Sequence, residues 1–103
     1  MTSRSPYPSV EQVVRNLGYR STDDFVQIQL RSVLEQKVAY YQSRIDYFQQ
    51  KYGMTFEEFR RRVIDKQDPL LARYSLAEKE HDDNDWDDAI DFLADYVAYL
   101  QQI

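Results

Sequence analysis

Asp83, Asp85 and Asp87 alternate along the chain as the first oxygen ligands of a calcium loop do. Such a loop needs a glycine at its sixth position and a bidentate glutamate at its twelfth. Here those positions hold Asp88 and Ala94, so no calcium and no other metal or cofactor is expected. His81 is the only imidazole and stands beside Asp82, but a His-based nuclease or metal-dependent phosphohydrolase needs further histidines that the chain lacks. No serine sits in a G-x-S-x-G elbow, neither glycine belongs to a phosphate loop, and there is no cysteine to act as nucleophile or disulfide partner. The expectation is therefore a protein without enzymatic activity. Arg60, Arg61 and Arg62 are consecutive, and consecutive helical residues stand about 100° apart. They fan around a helix and form no single phosphate-reading face, which reads first as a solvated exposed face; the sharper alternative is contact with the Asp-rich last helix, within the chain or across a dimer, with Arg61 and Asp91 as the pair that tests it.

The elements that carry these residues read as helices. A chain of 103 residues allows one domain, and two Gly, three Pro and no alternating Val/Ile/Thr segment leave little material for strands. Residues 1–8, with two of the prolines, are expected as a disordered tail and residues 9–103 as a single helical domain. Ser9 is a good N-cap for a short helix that places Val10, Val13, Val14 and Leu17 on one face and ends at Gly18. Ser21 or Thr22 then caps a long helix running to about Tyr52, with Gly53 as its left-handed stop. Along it Leu34, Val38, Tyr41, Ile45, Phe48 and Tyr52 recur at spacings of four and three, the narrow apolar seam of a coiled coil, and this seam is expected to pair in a hairpin or homodimer. Thr55-Phe56-Glu57-Glu58 reads as a capping box, with Met54 and Phe59 as its staple, opening a third helix whose inward stripe is Phe56, Phe59 and Val63. Asp68-Pro69 ends it, and the charged run from Glu78 to Asp83 reads as a solvated connector.

The last helix is expected from Asn84 or Asp85 to Ile103. Trp86, Ile90, Leu93, Val97 and Leu100 form one stripe, Ala89, Phe92, Tyr96, Tyr99 and Ile103 a second, and Asp87, Asp88, Asp91 and Asp95 occupy the remaining surface. A helix apolar over so much of its circumference needs cover on two sides, from its own chain and from a partner. Charge points the same way. Residues 1–73 carry 12 Lys/Arg against 9 Asp/Glu, whereas residues 74–103 carry 1 against 9, a field that steers a basic partner and repels nucleic acid.

Two stretches carry a resemblance. Leu17-Gly18-Tyr19-Arg20-Ser21-Thr22-Asp23-Asp24-Phe25 resembles the turn between the two helices of ribbon-helix-helix antitoxins. Lys51-Tyr52-Gly53-Met54-Thr55-Phe56-Glu57-Glu58-Phe59 is similar to a junction in short bacterial and archaeal TumA-like antitoxin proteins, in which an acidic connector and a Trp-containing terminal helix often follow. The resemblance implies an antitoxin-like role, neutralising a partner such as a ribonuclease-type toxin. Trp86, Ile90, Leu93, Val97 and Leu100 would be the apolar anchor and Asp87, Asp88, Asp91 and Asp95 the complement to its basic surface.

The expectation is thus an all-α helical bundle, dimeric through the long helix, cytoplasmic and acting by binding another protein. No apolar run approaches the roughly 20 residues of a membrane span, and Met1 to Tyr7 has no apolar signal core. One alternative is a homo-oligomeric assembly protein with no separate partner. Another is a DNA-binding autoregulator, although Pro6 and Pro8 forfeit the backbone donors that a DNA-reading ribbon requires.

Overall fold

The computed structural model describes residues 7–103, and most of the tail expected over residues 1–8 lies outside them. Among these residues four helices follow one another: α1 (Val10–Asn16), α2 (Thr22–Tyr52), α3 (Phe56–Val63) and α4 (Leu76–Gln102). Among the described residues there is no strand, and no helix is long and apolar enough to cross a membrane.

Local chemistry accounts for each boundary. Ser9, Ser21, Thr55 and Ser75 have extended backbone and accept, through their hydroxyls, the amides of Gln12, Asp24, Glu58 and Glu78, satisfying donors that each helix start leaves free. α1 ends in a Schellman turn. The Gly18 amide bonds to the Arg15 carbonyl and the Tyr19 amide to the Val14 carbonyl, with Gly18 at φ 101, a conformation that a side chain would disfavour. α2 ends on Gly53 at φ 68, whose amide bonds to the Gln49 carbonyl. At α3 only half of the expected capping box forms: Thr55 caps, while the Glu58 carboxylate turns to Arg61.

α2 and α4 pack antiparallel as a long hairpin. Lys51 near the end of α2 meets Glu78 and Asp82 in the first turns of α4, and Arg31 donates to the Ile103 carbonyl at 2.9 Å at the other end. The apolar seam of α2 is what α4 covers: Leu34, Ile45, Phe48 and Tyr52 are buried, and Val38 and Tyr41 half-buried. The seam therefore finds a partner within its own chain. The result is an extended molecule of 79 × 25 × 18 Å where a bundle was expected, because α1 and α3 are too short to flank the whole hairpin.

α4 also departs from expectation at its start. It begins at Leu76, so the run from Glu78 to Asp83 is helical and no connector. Lys79 and Asp82, three residues apart, face the hairpin and are buried, which gives this polar turn the inward side that hydropathy alone conceals. The segment before it is organised by Asp68, whose Oδ1 accepts the amides of Leu70 and Leu71 while Arg62 grips the carboxylate with two nitrogens at 2.7 and 3.0 Å. This turn drives Leu71 into the core and leaves Leu70 outside.

Candidate partner-binding surface

Burial decides which part of α4 can meet another molecule. Trp86, expected as the anchor for a partner, has 0 % of its surface exposed and is the centre of the chain's own core. Its indole stacks on Phe48 and Tyr52 from α2, and Phe56 and Phe59 of α3 close over it at 5.2 and 5.3 Å between ring centroids. The Nε1 atom is buried and forms no hydrogen bond, so ring packing alone holds the residue. Ile90 and Leu93 continue this inward stripe, half-buried against the core, and Leu100 is half-buried further along. Of the five apolar residues expected to face a partner, only Val97 is exposed.

Several of the acidic residues are also engaged within the chain. Asp82 Oδ2 receives Lys51 Nζ at 2.6 Å and the Tyr52 hydroxyl, and Tyr74 donates to the Lys51 carbonyl at 2.9 Å. Burial works to lower the Lys51 pKa, but the bonds to Asp82 and Glu78 outweigh it and the ammonium is held well above its ordinary value. Burial and then the bond to Asp82 push the Tyr52 hydroxyl up likewise, so both groups stay protonated. Asp83 and Asp87 pair with Arg60 at 3.1 and 3.4 Å, and the hydrogen bond that Arg60 donates to Asp83 raises the Arg60 pKa. Arg60, and not Arg61, thus joins α3 to the acidic helix, since Arg61 pairs with Glu58 on its own helix. His81 lies on α4 beside Asp85 at 3.3 Å, one turn on.

What remains is a narrower surface than the sequence suggests. Asp88, Asp91 and Asp95 are exposed, form no salt bridge among the described residues, and stand three and four residues apart along α4, with Asp88 at the edge that borders α2. Phe92, whose ring also packs against Tyr41 of α2 at 5.2 Å between centroids, and Tyr99 flank them and are about half exposed. Asp88 and Phe92 also border a shallow groove of about 250 Å³ between the helices, together with Tyr40 and Arg44. Of the expected site, then, Asp88, Asp91 and Asp95 sit together on one open face; Asp87 is drawn to Arg60; and Trp86, Ile90 and Leu93 line the interior. Phe92 and Tyr99 were placed in the sequence on a second apolar stripe and not on the binding side. Their spacing from Asp88 and Asp95, four residues in each case, is the signal that joins them to it.

No family model matches the chain, and neither a curated protein nor a solved structure matches it.

Proposed function

We propose that this chain is a non-enzymatic protein-binding module with an antitoxin-like role, presenting the open face of α4 to a basic protein partner. One observation carries the reading. The helix holds nine acidic residues against one lysine, and Asp88, Asp91 and Asp95, which form no salt bridge among the described residues, lie beside two half-exposed aromatic rings. Aromatic side chains that become buried on binding supply most of the affinity, while the charges speed encounter and select a basic partner. Phe92 and Tyr99 replace Trp86 as the anchors, since Trp86 is fully buried in the chain's own core. A ribonuclease-type toxin has the required charge, because it must itself bind a polyanion.

The experiment is purification of the chain from the cells that make it, with the co-purifying protein identified and assayed for ribonuclease activity. A basic protein retained by the wild type, inhibited by it, and lost from Asp88→Lys/Asp91→Lys/Asp95→Lys is the expected result. An identified partner held equally by both forms contradicts the assignment of the face.

A further inference from the structure

The first nine residues of α2, from Thr22 to Leu30, pack against α1 and against Tyr19 of the turn before them, which meets Phe25 and Gln29. α1 is seven residues long and buries only Val14. Along the uncovered side of α2, Val26, Leu30, Val33 and Tyr40 follow at intervals of four, three and seven, which holds them within about 80° of the helix circumference. They are 51, 42, 50 and 55 % exposed. Val33 and Tyr40, with Gln36 and Lys37, line a surface groove of about 270 Å³.

We propose that a second copy of this chain occupies that stripe, with the two α2 helices antiparallel about a two-fold axis near Val33. Charge selects a copy and sets its direction. The stripe is basic at its inner end, at Lys37 and at Arg44, which lies over the Tyr47 and Phe48 rings, and acidic at its outer end, at Asp23; none of the three forms a salt bridge among the described residues. Antiparallel pairing about Val33 brings Arg44 of one copy to the first turn of α2, at Thr22 and Asp23, in the other, and Val26 to Tyr40. A parallel pair would set like against like. An isologous contact of this kind closes on itself and leaves Asp91 and Asp95 of α4 outside.

The chain has no cysteine, which makes the arrangement directly testable. Sedimentation equilibrium of the full chain is expected to give twice the monomer mass, and Val33→Asp, a change at a residue half exposed in the single copy, is expected to give monomer with unchanged helicity. Arg44→Glu should weaken the dimer by about tenfold or more, and adding Asp23→Arg to the same chain should restore it. Val33→Cys should crosslink through a short bismaleimide, while Ile28→Cys, on the opposite side of α2, should not. A wild-type chain that stays monomeric at the highest attainable concentration overturns the proposal, as does a dimer that crosslinks through Ile28→Cys and not through Val33→Cys.

Discussion

The Tyr52 hydroxyl and the Lys51 ammonium meet on a single oxygen of Asp82, so one carboxylate of α4 gathers the last turn of α2. Asp82 is buried, and its removal leaves two donors with reduced partnership, Lys51 retaining only Glu78. Asp82→Ala is expected to cost about 2 kcal/mol, the magnitude of a hydrogen bond to a charged group together with stranded donors. Combining Asp82→Leu with Lys51→Met and Tyr52→Phe should recover most of that loss, since an apolar replacement of the whole cluster strands nothing. Urea denaturation midpoints check both.

The same cluster governs stability at high pH. Lys51 and Tyr52 both have raised pKa values in the fold, so their contribution is complete below their ordinary values, near pH 10, and is lost as pH climbs past them. Asp68, lowered chiefly by its hydrogen bonds from Arg62, and Glu11, lowered chiefly by the Thr22 hydroxyl, behave in the opposite sense. Their contribution is present above the usual carboxylate range and disappears as pH falls through it. Stability should therefore be flat from about pH 5 to about pH 9 and decline on both sides. Tyr52→Phe should soften the alkaline decline and Asp68→Asn the acid one, as read from midpoints across pH.

Trp86 separates packing from hydrogen bonding. Its Nε1 has no acceptor, so Trp86→Phe forfeits area but no bond and is expected to cost about 1–2 kcal/mol. Trp86→Ala empties the space between Phe48, Phe56 and Phe59, with an expected cost of about 3–5 kcal/mol. Thermal unfolding of the two variants, followed by circular dichroism, measures the difference.

Arg60 and Arg61 are neighbours with different duties. Reversing the charge at Arg60 sets it against Asp83 and Asp87 and should lower the urea midpoint, and adding Asp83→Arg should return part of the loss. Arg61→Glu should have a smaller effect, confined to its contact with Glu58 on the same helix.

Helix boundaries were legible wherever capping chemistry stands in the sequence. Ser9, Ser21, Gly53 and Thr55 mark α1, α2 and α3 within about a turn of where they form. Ser75 followed by Glu78 is the same signal and locates the true start of α4, but the charged residues after it obscure it, because an amphipathic face made of a lysine stem and a hydrogen-bonded aspartate does not register as apolar. The seam of α2 was legible too, though not what fills it. Periodicity says that Leu34, Ile45 and Phe48 need cover, and only the turn between the long helices decides whether it comes from α4 or another copy. For the same reason, the stripe from Trp86 to Leu100 is apolar whether it faces a core or a partner.

The association rate of the co-purifying partner, measured against the wild type and against Asp88→Lys/Asp91→Lys/Asp95→Lys across a range of salt, tests the role of the open α4 face most directly. The account predicts fast, salt-sensitive association for the wild type and a rate at least about tenfold slower for the variant at low salt. Equal rates with equal salt dependence, in a variant of unchanged helicity, would contradict it.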